Sequence, residues 1–381
     1  MRAASILIKP ASSVCNIKCE YCFYRCISSE RQAYSKGFMR ESTLEQLVRN
    51  AFEYVSGHIT FAFQGGEPTL CGLDFFSKAI ELQKRYNEND ISVENTIQTN
   101  GLTINDAWCE FLCENDILVG LSLDGYQDLH DRYRIDRSGQ PTFGRVMETV
   151  KLFEKYGVKY NILSVITDPA CGHAKELYSF YTENHFPFVQ LIPCIGEENS
   201  SYGIKPERYG TFLCEFFDCW YRDFERGYSL DHGVRFPVTD VRFFSNLAQI
   251  AAGYPAEECG LCGHCSCYFV VEGNGDVYPC DFYCTDAWKL GTVAEPFEKL
   301  LHTEKADLFI QSSLPVSDAC KSCRHYPLCH GGCRRWRDTK KAAPLSLNSL
   351  CPSYQMFFDH AGERILKLGQ IILDCYGSYR Y

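Results

Sequence analysis

Three cysteines, Cys15, Cys19 and Cys22, stand in one short segment spaced as Cys-x3-Cys-x2-Cys. The segment directly follows a β-rich run over 5–9, so a loop there can wrap three thiolates around one iron–sulfur cube. Three ligands rather than four is the informative count. Four thiolates close a [4Fe–4S] cube for electron transfer; three leave one iron open to a small molecule, as an open position separates catalytic from structural zinc. Cys26 stands close enough to be offered as a fourth ligand, which would restore the electron-transfer reading.

A second array lies downstream: Cys265-x9-Gly275-x4-Cys280, then Cys320-x2-Cys323-x5-Cys329-x3-Cys333, then Cys351. Cys259, Cys262, Cys267 and Cys284 crowd the same stretch. A zinc ribbon would account for Cys320 and Cys323, and for Cys329 and Cys333, but not for the three-cysteine loop ahead of them. The chain holds 23 cysteines in 381 residues. A secreted disulfide scaffold would be short and would carry a signal peptide, and the apolar stretch 3–8 is too brief for one. The pattern points to metal in a reducing, cytoplasmic setting.

The elements that must position these residues alternate. β-rich runs fall at 5–9, 59–64, 96–99, 118–123, 160–165 and 189–193, with amphipathic stretches at 44–55, 75–86, 146–156 and 174–183 between them. Ser42 and Glu45 read as a capping box for the first of these helices. Strands alternating with helices imply parallel pairing, and six such units with chemistry at the strand ends fit an α/β fold built on a partial (β/α)6 TIM-type barrel. A helical stretch covers 209–224. Regular periodicity fades from Cys259, and a domain boundary is expected near 235, giving 1–235 and 236–381. Hydrophobic residues make up 45% and charged residues 23%, so a disordered chain is excluded. The net charge of −10 argues against nucleic acid and anionic membrane as partners, and no apolar run is long enough to span a bilayer.

With Tyr21 before the last cysteine, the first motif resembles the signature of radical S-adenosylmethionine (SAM) enzymes. The resemblance implies SAM bound at an open iron and a radical that takes hydrogen from carbon. It extends to Gly65-Gly66-Glu67-Pro68, similar to the family's motif for the SAM amino group, and to Ser122 and Asp124, which match SAM-facing positions. Arg134 resembles the basic residue that meets the SAM carboxylate, and Gln98 lies near the end of the third strand.

The second array resembles the SPASM domain, which implies two auxiliary [4Fe–4S] clusters and so three clusters in all. Carried over, Cys259, Cys265, Cys280 and Cys333 would hold one, and Cys320, Cys323, Cys329 and Cys351 the other. Tyr21-Cys-Phe-Tyr24, Phe61-Ala-Phe-Gln-Gly-Gly-Glu-Pro68, Val277-Tyr-Pro-Cys-Asp-Phe-Tyr283 and Gly331-Gly-Cys-Arg-Arg-Trp-Arg-Asp338 look like anaerobic sulfatase-maturating enzymes. That resemblance implies oxidation of a Cys or Ser side chain in a sulfatase, within Cys/Ser-x-Pro-x-Arg, to Cα-formylglycine. Asp281 would be the base, Tyr24 and Gln64 would line the substrate, and a flavodoxin- or ferredoxin-type protein would supply electrons. Two other readings stay open: a SPASM enzyme that crosslinks or epimerises another ribosomal peptide, and a non-catalytic iron–sulfur or zinc protein. Peptide-modifying SPASM enzymes often carry an N-terminal precursor-binding domain, for which the residues before Cys15 leave no room.

Overall fold

The structure, a computed structural model, describes residues 2–196, 200–231, 239–338 and 347–376. The expected boundary at 235 lies outside the described residues. Two compact units are present. Unit 1 comprises Met1–Leu123, His130–Tyr160 and Ser266–Ile310; unit 2 comprises Asp124–Leu129, Asn161–Cys265 and Gln311–Tyr381.

The strands are β1 (Ala3–Lys9), β2 (His58–Phe63), β3 (Ser92–Thr99), β4 (Leu118–Ser122), β5 (Tyr160–Ile166), β6 (Phe188–Pro193), β7 (Asp240–Val241), β8 (Phe269–Glu272), β9 (Asp276–Tyr278) and β10 (Gly291–Thr292). The six expected strands all form. In unit 1, β1, β2, β3 and β4 pair in parallel in sequence order, and β2 alternates half-buried with buried residues along its length. The crossovers are amphipathic helices. Glu41–Tyr54 buries Leu44, Leu47, Val48, Ala51 and Phe52, a stripe at three- and four-residue spacing. The helix Phe143–Tyr156 stops at Gly157, whose left-handed backbone closes the last turn.

Two expectations change. The capping box does not form: the helix begins at Glu41 behind Arg40 with no side-chain cap, so Ser42 already lies in its first turn. Glu45 turns outward to accept from Arg85 and the Tyr86 hydroxyl. Regular structure also resumes beyond Cys259. The run Phe269–Glu272 is wholly buried and adds in parallel to the free edge of β1, then turns back through Gly275 into β9. That pairing sets Lys9 beside Glu272.

In unit 2, β5, β6 and β7 run parallel. Its core is aromatic. Helices Pro206–Asp231, Arg242–Ala251 and Cys351–Tyr376 interlock through Phe217, Phe244 and Phe357, with ring centroids 5.0 to 5.7 Å apart. Such pairs add about 0.5–1.5 kcal/mol each beyond the area they bury. Among the described residues no helix is long and apolar enough to cross a membrane.

Candidate active site

The three-cysteine loop lies in unit 1 between β1 and a short helix, Phe23–Ser29, whose N-terminal flank is Cys22. Burial first, and then the neighbouring Glu67 and Cys22, push the Cys15 thiol up to about 11. Asn100 donates to Cys15 Sγ at 3.7 Å and Arg134 to Cys19 Sγ at 3.8 Å. Thiols in so dry a setting become thiolates when a cation takes up their charge. The donor set fits an iron–sulfur cube.

The GGEP turn docks on the residues just ahead of Cys15. Glu67 N donates to Val14 O, and a Cβ on Gly66 would meet that same oxygen at 2.3 Å. Only glycine allows the approach, and its φ of +57° favours glycine as well. Gly65 serves a different neighbour: a Cβ there would strike Lys9 Cε at 2.6 Å. Glu67 is buried, and its carboxylate already accepts from the Thr69 amide and hydroxyl, the Thr99 hydroxyl and the Asn100 amide. It therefore ties the turn to the end of β3. Burial holds its carboxyl above the usual range in spite of those donors.

The other SAM-facing candidates divide. The Arg134 guanidinium lies over the Tyr21 ring at 5.5 Å, so Tyr21, Arg134 and Cys19 form one group. Gln98 is half-buried one residue before the end of β3, and Ser122 is buried at the end of β4. Asp124 belongs to unit 2, where its Oδ1 accepts from Val165 N at 2.9 Å.

Tyr24, Gln64 and Asp281 do meet. The Tyr24 hydroxyl donates to Asp281 Oδ2 at 2.6 Å, and Gln64 Nε2 donates to the same oxygen at 3.0 Å. Asp281 Oδ1 is buried and has no hydrogen-bond partner among the described residues; Lys9 Nζ stands 3.5 Å from it. Burial, and next the Asp281 charge, hold the Tyr24 phenol well above its ordinary value, so it stays a donor.

The sequence reading missed what stands behind this trio. Lys9 Nζ lies 3.0 Å from Glu272 and 4.3 Å from the Tyr24 ring centre, and Arg31 reaches Glu272 at 2.7 Å. Burial opposes the Lys9 charge, but the acidic groups Cys284, Asp281 and Glu272 outweigh it and raise its pKa. For Glu272 burial is again the largest effect, and Lys9 and Arg31 overcome it, leaving the carboxyl below its usual range. The signal was a charged residue closing each of two apolar runs, Ser5–Lys9 and Phe269–Glu272.

The downstream cysteines also gather. In unit 2, Cys320, Cys323, Cys329 and Cys351 line one cavity together with Tyr326, Tyr354 and Phe358. Burial pushes Cys329 up to about 11, with the other three thiols adding to the shift. Cys259 rises to about 12, through burial and then Cys333, with Cys262 and Cys265 contributing. Four thiols around a cavity, and three bearing on one another, fit cube-binding sets. Cys280, grouped with Cys259, Cys265 and Cys333 by resemblance alone, falls in unit 1, directly before Asp281. Among the described residues no three His, Cys, Asp or Glu side chains converge as a single metal ion requires. Cys71, Cys109 and Cys214, outside both arrays, are buried or half-buried, and burial raises each thiol.

Comparison with known proteins agrees with this geometry. Residues 10–169 match the radical SAM superfamily, and 259–324 match an iron–sulfur cluster-binding domain, SPASM. The chain is 42% identical, over 98% of its length and the whole of the relative, to the cysteine-type anaerobic sulfatase-maturating enzyme of Clostridium perfringens. It is 32% identical to the serine-type enzyme of Bacteroides thetaiotaomicron, over 93% of this chain and 88% of the relative. A solved structure of anSMEcpe with bound AdoMet and the Cp18Cys peptide superposes with a TM-score of 0.90 at 42% identity, covering 97% of this chain and 99% of the other.

Proposed function

We propose a reaction for this chain, which belongs to the anaerobic sulfatase-maturating enzymes of the radical SAM superfamily: it oxidises a peptidyl cysteine of a sulfatase to Cα-formylglycine. The higher identity to cysteine-type than to serine-type relatives favours cysteine over serine. The observation that carries the reading is the division of labour on Asp281, with two donors on Oδ2 and no hydrogen bond on Oδ1 among the described residues.

Cys15, Cys19 and Cys22 would hold the cluster that binds SAM; Cys259, Cys265, Cys280 and Cys333, and then Cys320, Cys323, Cys329 and Cys351, would hold the auxiliary clusters. When bound, these groups supply a radical able to take one hydrogen atom from the cysteine Cβ, and acceptors for the electron left behind. Asp281 takes the thiol proton on Oδ1 while Tyr24 and Gln64 fix the carboxylate through Oδ2. Loss of the Cβ hydrogen atom, the thiol proton and one electron turns CH2–SH into CH=S. Water then replaces sulfur by oxygen and releases hydrogen sulfide. Lys9, held by Glu272, keeps the anion oriented. Tyr21, Arg134, Gln98, Ser122, Asp124, Gly65, Gly66 and Glu67 form or brace the SAM site, and a flavodoxin- or ferredoxin-type protein supplies the reducing electron.

Deuterium tests the first step. With SAM, a reductant and a Cys-x-Pro-x-Arg peptide deuterated at the cysteine Cβ, deuterium should pass into 5′-deoxyadenosine. Deuterium retained wholly in the peptide would overturn the proposal.

A further inference from the structure

The segment Cys333-Arg334-Arg335-Trp336-Arg337 directly follows a glycine pair, and nothing in the reaction above uses its arginines. Two of them are buried: Arg334 is 6% exposed and Arg337 only 2%. A buried guanidinium is costly unless its donors and its charge are both met. Arg337 spends its donors on backbone, with Nη2 donating to Ser313 O at 2.8 Å and Nη1 to Pro315 O at 3.1 Å. Arg334 Nη1 donates to Ser312 Oγ at 2.8 Å, and its Nε stays 3.9 Å from the half-exposed Asp338.

These anchors lead back to cysteines. Ser313, whose carbonyl holds Arg337, accepts the Cys265 amide on its Oγ at 2.9 Å. The same 312–317 turn leads into Cys320, whose amide donates to Ser317 O. One short strap therefore touches a member of each cysteine set, and Arg337 is clamped to its middle. Cys333 itself opens the short helix Arg334–Arg337, so the segment that carries both guanidiniums begins on another cysteine of the Cys265 set.

We propose that Arg337 is a fixed buried cation shared by both auxiliary cysteine sets, and that with Arg334 it sets the reduction potentials of the clusters they hold. The inference rests on the reading that both sets bind [4Fe–4S] clusters. A cube with four thiolates is an anion, and reduction adds further negative charge. Burial disfavours that extra charge and lowers the potential, while a nearby cation in the same dry medium raises it. An electron released by the substrate needs an acceptor whose potential is not driven down by burial. One charge serving both sets raises the two together.

The test is a redox titration followed by electron paramagnetic resonance on the full, anaerobically reconstituted chain. Cys15→Ala, Cys19→Ala and Cys22→Ala are included so that signals arise from the auxiliary sets alone. Iron analysis of the same samples tests the underlying reading, which requires about eight irons per chain for two cubes. With iron at that level, Arg337→Gln should lower both midpoint potentials, Arg337→Lys should hold them near the parent, and Arg334→Gln should lower only that of the Cys265 set. Unchanged potentials in Arg337→Gln, or an equal fall in Arg337→Lys, would overturn the proposal. Should Arg337→Gln fail to load iron, Arg334→Gln decides. A fall confined to one cluster supports the proposal, and a fall in both or in neither overturns it.

Discussion

The two oxygens of Asp281 live in different surroundings, and the chemistry follows from that difference. Oδ2 accepts from Tyr24 and Gln64, whereas Oδ1 faces Lys9 and accepts no hydrogen bond from the described residues. Asp281→Asn keeps the shape and removes the base. Proton transfer by a placed side chain is worth about a hundredfold to ten-thousandfold. Aldehyde formation should therefore fall by about two orders of magnitude or more, while 5′-deoxyadenosine is still made; chromatography of both products checks this. Behind the base, Glu272 has a lowered pKa, so its ion pairs stabilise the fold fully above the unfolded-state value of about 4.3 and are lost as pH falls through the folded-state value. The stability gap between the parent chain and Glu272→Gln should accordingly be widest near neutrality and shrink below about pH 4. Urea midpoints across pH measure it, and a gap independent of pH would refute the linkage.

At the scale of elements, the GGEP turn shows why a motif is legible while its mechanics are not. The sequence marked Gly65, Gly66 and Glu67 by resemblance and assigned them to a ligand. The structure gives each a local partner: Lys9 for Gly65, Val14 O for Gly66, and four donors on Glu67. Such contacts join residues far apart in sequence, which no spacing reveals. Gly66→Ala should push the turn off the cysteine loop. We expect SAM affinity to drop at least about tenfold, costing some 1.4 kcal/mol or more, with auxiliary-cluster iron retained; equilibrium dialysis of labelled SAM reads the first and iron analysis the second. The crossover helices were legible because their apolar stripes repeat at helical period. Phe23–Ser29, which carries Tyr24, is too short to show one, and β8 was hidden by its length and by the cysteines around it.

Over the whole molecule, composition and cysteine spacing carried the reading further than periodicity did. Twenty-three cysteines pointed to metal rather than disulfides, and a net charge of −10 argued against polyanion binding, before any element was placed. The grouping of Cys320, Cys323, Cys329 and Cys351 was expected from resemblance, and a common cavity in the structure now accompanies it. The buried Lys9–Glu272–Arg31 network was not legible, because its partners lie on β1, on β8 and just beyond the helix Phe23–Ser29, and only the parallel pairing of β1 with β8 brings them together. The central claim concerns the product. The reconstituted chain, incubated without oxygen with SAM, a reductant and a Cys-x-Pro-x-Arg peptide, should yield a peptide whose cysteine sulfur is replaced by a carbonyl oxygen, visible by mass spectrometry and by aldehyde trapping. Turnover of SAM to 5′-deoxyadenosine with the cysteine left intact, or joined to another residue, would contradict it.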